Sequence, residues 1–196
     1  MATIRSVWGM LCLALCWSFT EPSGHLLGAQ SVALAQTLEA SNSKAVDKAA
    51  NILAIARSQL HVREKSGHND GPAVEKYLTY TGNRKGDPWC ASFVSWVFGQ
   101  AGYTAPRTAW SPALFPTAKR TKVVQPAVVF GIYFAAQQRI AHVGLVIQMR
   151  GNWLYTIEGN TDVSGGREGD GVYRKLRHVK TISAFANWLP KEGGRP

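Results

Sequence analysis

Asp87-Pro88-Trp89-Cys90-Ala91-Ser92-Phe93-Val94-Ser95-Trp96-Val97-Phe98-Gly99-Gln100-Ala101-Gly102 is a strongly apolar stretch with helical spacing and a thiol near its start. Trp89, Phe93, Trp96 and Val97 fall on one face, and Val94 and Phe98 widen it. Ala91, Ser92, Ser95 and Gly99 form a stripe of small residues where another element can approach closely. Asp87 suits the N-cap, Pro88 the first helical position and Gly102 the C-terminal stop. That reading puts Cys90 in the first turn, near the third helical position. Free N–H groups and the positive end of the helix dipole lie there, and both lower a thiol pKa. A helix this apolar belongs in the middle of a domain.

Elements on either side define the fold class. Upstream, Val46, Ala49, Ile52, Leu53, Ile55 and Ala56 recur at helical spacing, predicting an amphipathic helix over 45–60. His61 to Gly71 is polar and turn-rich, and Pro72 to Thr79 reads as a second short helix ended near Gly82. Downstream, Tyr103 to Lys122 is loop-like, with Pro106, Pro112 and Pro116. Strands are then expected over 128–134, 142–149 and 153–157, with one or two more within 172–188. Arg150-Gly151-Asn152 is a hairpin signal, and the Gly-rich segment 162–171 reads as a mobile loop. Helices followed by an antiparallel meander make an α+β domain, with the thiol-bearing helix packed on an antiparallel sheet.

The leader and the charge bound the setting. Met1 to Phe19 carries Arg5 and an apolar run from Val7, and Ala33-Leu34-Ala35 resembles a cleavage site. Residues 1–35 are therefore expected to be a signal peptide or N-terminal anchor, 36–44 a linker, 45–190 the domain and 191–196 a flexible tail. The leader holds Cys12 and Cys16, so an exported mature chain keeps only Cys90. A single thiol cannot form an internal disulfide; it is a nucleophile, an inert core residue or an intermolecular pairing site. The net charge of +10 favours anionic partners. Its basic residues are scattered, without an arginine-rich run or zinc-finger spacing, and nucleic acid is not expected. The expectation is a monomer in the periplasm, outside the cell or in its wall, touching membrane only through an uncleaved N-terminal segment.

A nucleophilic thiol needs a base, and 36–196 offers His61, His68, His142 and His178. His61 and His68 flank the polar loop. His178, among Arg174, Lys175, Arg177 and Lys180, reads as a solvated strand residue. His142 opens a strongly apolar strand, where a polar side chain needs a reason; a structural histidine with satisfied hydrogen bonds is one. With the hairpin turn near Gly151, His142 lies across from 159–161. Glu158 and Asn160, two apart, share a strand face. An odd-length loop makes that face His142's as well, setting a carboxylate and a carboxamide beside the imidazole to orient it.

Trp89-Cys90-Ala91-Ser92-Phe93-Val94 on a helix, His142-Val143-Gly144 on a following strand and Glu158-Gly159-Asn160 at the next strand's end together resemble the CHAP family, the cysteine-, histidine-dependent amidohydrolase/peptidases. The resemblance spans roughly residues 45–188. It implies a papain-like fold and hydrolysis of peptidoglycan amide bonds, by an endopeptidase or an N-acetylmuramoyl-L-alanine amidase. It also implies Cys90 as nucleophile, His142 as base, Glu158 as its orienting group and Asn160 as a polar support. Trp89 and Trp110 are candidates to line the substrate cleft, since sugars and stem peptides pack on aromatic faces; the alternative for each is a place in the core. Gln125-Pro126-Ala127-Val128 departs from the family, whose members often carry a Pro-Gly-Asp turn there. Asp87 lacks a near acidic partner for calcium, and His68-Asn69-Asp70 lacks a second cluster for zinc; no metal and no cofactor are expected. Two alternatives stay open: a silent wall-binding module with a buried thiol, or a papain-like amidase or protease acting on another peptide.

Overall fold

Between Gly28 and Gly67 the chain contains neither glycine nor proline and is rich in alanine, the best helix former. The computed structural model, which describes residues 24–163 and 169–190, accordingly places one helix, α1 (Gly24–Ser58), over this stretch. The segment 36–44, expected to be a linker, is helical: Ala35, Gln36, Leu38, Glu39 and Ala40 give no reason to stop. The chain divides into two compact units at Glu39/Ala40. In the first, Val32, Leu34 and Leu38 are exposed. In the second, Ala49, Ile52, Leu53 and Ala56 bury the expected helical stripe. Residues 1–23, within the expected leader, 164–168 of the Gly-rich segment and 191–196, the expected tail, lie outside the described residues. Among those described, no helix is long and apolar enough to cross a membrane.

α2 (Pro72–Tyr80) follows Gly71, whose φ of 108° suits glycine best, and starts on proline. Glu75 in its first turn accepts the Gly71 N–H at 3.2 Å. α3 (Cys90–Gln100) starts later than its sequence suggests. Asp87 does not cap it; its carboxylate turns back to accept the Arg84 N–H at 2.9 Å. Trp89 is the N-cap instead, and its carbonyl accepts the first helical bond, from Phe93 at 2.8 Å. Cys90 thus occupies the first helical position rather than the third.

Five antiparallel strands make one sheet: β1 (Val129–Phe134), β2 (Arg139–Arg150), β3 (Trp153–Thr161), β4 (Gly171–His178) and β5 (Ala184–Ala186). Their order is β4-β3-β2-β1-β5, so the expected meander covers four strands and the last returns to pair with β1. Ahead of β1, Ala127 holds a left-handed φ of 65° and donates its N–H to Val146 at 2.9 Å. Ala127 thus holds a backbone conformation that glycine adopts more readily than alanine.

The β2–β3 hairpin decides which residues share a face. Its turn is the two residues Gly151-Asn152, which pairs Arg150 with Trp153, Met149 with Leu154 and Gln148 with Tyr155. An even loop alone would set His142 and Glu158 on opposite faces. A bulge at Ile147 intervenes, and beyond it Val146 pairs with Thr156 and Leu145 with Ile157. Continued, that register sets Gly144 across from Glu158 and His142 across from Asn160. The extra residue in one strand restores the shared face that an odd loop would have given.

The other face of β2 and β3 carries Val143, Leu145 and Ile157 into the main core beneath α3. Tyr77 of α2 anchors an aromatic cluster there with Trp89, Phe93 and Trp96, at centroid distances of 5.7, 5.4 and 4.9 Å. Gly159 faces this cluster, and a Cβ built on it would lie 2.6 Å from Trp89 and 2.8 Å from Phe93. Gly159→Ala is expected to destabilise the domain by about 1–3 kcal/mol, since neither ring can retreat within a close-packed core. Urea denaturation measures this; an unchanged midpoint would mean that α3 does not rest on β3 as described.

Candidate active site

Three elements converge on one cleft of about 520 Å³, whose walls include Pro88, Cys90, Ala141, His142, Asn160 and Arg177. α3 delivers Cys90 at its N-terminal end, where helical N–H groups are not consumed by the helix itself. β2 delivers His142 and β3 delivers Glu158. The Cys90 Sγ lies 3.6 Å from the Ser111 hydroxyl and 3.9 Å from the Ala141 carbonyl oxygen.

His142 Nε2 is 2.8 Å from Glu158 Oε2, which leaves Nδ1 as the nitrogen for the thiol. Glu158 is completely buried and surrounded by donors. Thr156 Oγ1 donates to Oε1 at 2.6 Å, Arg177 Nε donates to the same oxygen at 3.0 Å, and Arg177 Nη2 donates to Oε2. A carboxylate without solvent is costly unless paired and fully hydrogen-bonded, and here both conditions hold.

Charges alternate along the line Cys90, His142, Glu158, Arg177, and each neighbour holds the next in its ionised form. Burial pushes the Glu158 carboxyl up, but hydrogen bonds from and charges on His142 and Arg177 outweigh it and hold it at about 2. Burial pulls the His142 imidazole down; the hydrogen bonds and charges of Cys90 and Glu158 reverse this and raise it to about 9. Burial likewise pushes the Cys90 thiol up, yet the hydrogen bond and charge of His142, with the Ser111 hydroxyl, bring it below the ordinary thiol value. The favoured state is a thiolate beside an imidazolium, a strong nucleophile beside a proton donor.

Asn160 does not support the imidazole as expected. At a left-handed φ of 54°, its Oδ1 accepts the Trp89 N–H at 3.1 Å. Its Nδ2 donates to Asn69 Oδ1 at 2.9 Å and to the Gly169 carbonyl at 3.2 Å. The carboxamide therefore ties the start of α3 to the polar loop and to the end of β3, fixing the residue before Cys90.

Trp89 is not a cleft residue. It is fully buried among Tyr77 and Phe93, and its indole N–H donates to Glu64 at 2.7 Å. Its ring shares the buried face of α3 with Phe93, four residues on, and so lies in the core. Trp110 is 54% exposed but does not line the cleft; its ring carries the Arg139 guanidinium at 4.3 Å, and Arg139 does line it. His178, read as solvated, sets its ring edge-on to Trp153 at 5.0 Å and borders the cleft. His68 stays in its loop against Ser66. Among the described residues, no three His, Cys, Asp or Glu side chains gather to hold a metal.

Sequence reasoning missed Arg177, Thr156 and Ser111. Arg177 was hidden in a basic strand; only its position beside a buried carboxylate on β3 sets it apart from Arg174. Thr156 carried a signal, since it lies two residues from Glu158 on the same face. Ser111, in a short turn of 3-10 helix after the proline-rich loop, had none.

No protein-family model and no curated protein matches the sequence. A search of solved structures finds one described as "The crystal structure of Ly7917", at 15% identity and a TM-score of 0.42. The match covers 70% of this chain and 60% of that one.

Proposed function

We propose that this protein is an exported cysteine hydrolase that cleaves amide bonds of peptidoglycan, as an endopeptidase or an N-acetylmuramoyl-L-alanine amidase. The observation that carries the reading is the buried line Cys90–His142–Glu158–Arg177 opening onto a cleft at the thiol. A purely structural cysteine needs no imidazole beside it, and no buried carboxylate behind that imidazole. A thiol at the N-terminus of a helix packed on an antiparallel sheet, with its base on that sheet, also fits a papain-like fold.

The chemistry is acyl transfer. The Cys90 thiolate bonds to the carbonyl carbon, and the oxyanion is met by the Cys90 N–H at the helix terminus. The C–N bond then breaks as His142 passes its proton from Nδ1 to the departing amine, leaving a thioester on Cys90. Water attacks the thioester, His142 takes its proton, and Sγ departs as thiolate. Glu158 keeps the imidazole oriented throughout and stabilises its charged form. Asn160 acts by fixing Trp89, and the basic surface would concentrate the protein on an anionic wall.

Digestion of purified peptidoglycan by the native protein and by Cys90→Ala, with mass spectrometry of the soluble fragments, tests this. Fragments released by the native thiol alone are expected, and their masses name the bond cut. Equal release by both proteins, or none by either, would remove the reading and leave a wall-binding module or a different peptide substrate.

A further inference from the structure

Charge in the cleft is balanced everywhere except at one place. Glu158 neutralises Arg177, and the Cys90 thiolate neutralises the His142 imidazolium. The described cleft residues include no aspartate or glutamate, yet they include Arg139. This guanidinium is half-buried and lies over the Trp110 ring, and its Nη1 donates to the Ile140 carbonyl at 3.1 Å. Among the described residues no carboxylate pairs with it.

A planar guanidinium stacked on an indole loses little freedom when it binds, and its remaining N–H groups form a fork that matches a carboxylate. Arg139 opens β2 and precedes His142 by three positions, which is about 10 Å along an extended strand. From these placements we infer that Arg139, held by Trp110, is the anchor for a free carboxylate of the substrate, two to three residues of extended peptide from the scissile amide. The substrate class is an acidic peptide rather than an amidated or neutral one. This rests on the amide-hydrolase reading for the position of the scissile bond, but not for the binding itself.

The test uses a synthetic stem tetrapeptide with its carboxylates free and the same peptide fully amidated. Calorimetry on Cys90→Ala measures binding without turnover, and the native protein supplies kcat/KM where it cleaves. The acid is expected to bind about 10- to 100-fold more tightly than the amide, the range for a lost charge-assisted pair. Arg139→Gln in the same background should bring that ratio close to one, and Arg139→Lys, which keeps the charge but loses the fork, should leave an intermediate ratio. Equal binding of acid and amide by the Cys90→Ala protein would overturn the inference. So would a preference that survives Arg139→Gln. If the acid is preferred through Arg139 but the native protein releases no fragments from purified peptidoglycan, the anchor stands and the hydrolase reading falls.

Discussion

His142→Ala should lower kcat/KM by about 10³-fold or more, and should do so by disarming the thiol as well as by removing a proton donor. Burial is the largest influence on Cys90, and it pushes the thiol up; the imidazole is what reverses it. Without His142 the thiol therefore rises above its ordinary range. In the native protein the thiolate–imidazolium pair persists until His142 loses its proton near pH 9. Activity is thus expected to plateau through neutral pH and to fall as pH rises through about 9. Iodoacetamide alkylation reads the same state without a substrate. Native Cys90 should react faster at pH 6 than the His142→Ala thiol, because the imidazole lowers the one and burial alone raises the other. Equal alkylation of the two proteins at pH 6 would mean that His142 does not set the ionisation of Cys90.

Arg177→Leu is expected to cost about 3–5 kcal/mol of stability, the range for leaving one partner of a buried pair uncompensated. Glu158 has no solvent to fall back on, and Arg177 supplies two of its four hydrogen bonds. The same carboxylate makes the fold acid-sensitive. Its folded value of about 2 lies below the usual 4.5, so its contribution is complete above pH 4.5 and is lost as pH falls toward 2. That contribution is on the order of 3 kcal/mol. His142 runs the other way: raised from 6.5 to about 9, it stabilises fully below pH 6.5 and ceases to do so as pH rises through 9. Thermal melts from pH 2 to 10 check both limbs. Loss of the acid limb in Arg177→Leu, with a lower melting temperature at neutral pH, is the expected pattern. A variant as stable as the native protein at every pH would show that Arg177 is not needed by Glu158.

What the sequence made legible follows from local rules, and what it hid follows from pairing across the chain. The α+β order, the hairpin at Gly151 and the apolar face of α3 rest on periodicity and turn residues, which act within a few positions. Cys90, His142 and Glu158 were legible for the same reason, each being an odd polar or nucleophilic group in an apolar element. Arg177 was not, because basic residues at 174, 175 and 177 look alike until the β3–β4 register brings one of them to a buried carboxylate. Trp89 was assigned to the cleft although its spacing already put it on the apolar face with Phe93, and that face is where its ring lies, in the core. Asn160 was placed on the correct strand end, but its partner is an N–H 71 residues away, a contact that no spacing rule reveals.

The bulge at Ile147 means that the chemistry of this site is encoded partly as a number. Between His142 and Glu158 the chain must contain a count of residues that leaves both on one side of the sheet, and the two-residue turn and the single extra residue of β2 satisfy that count together. Individual side chains along the hairpin can therefore drift while the site survives. A lone insertion or deletion in the same stretch would turn the imidazole and carboxylate to opposite sides without touching either residue. Loss of the bulge accompanied by one residue added to the turn would bring them back. Length changes in this hairpin are thus tolerable in compensating pairs and harmful singly, so relatives of this chain should be sought with that parity held fixed and the identities between the two residues left free.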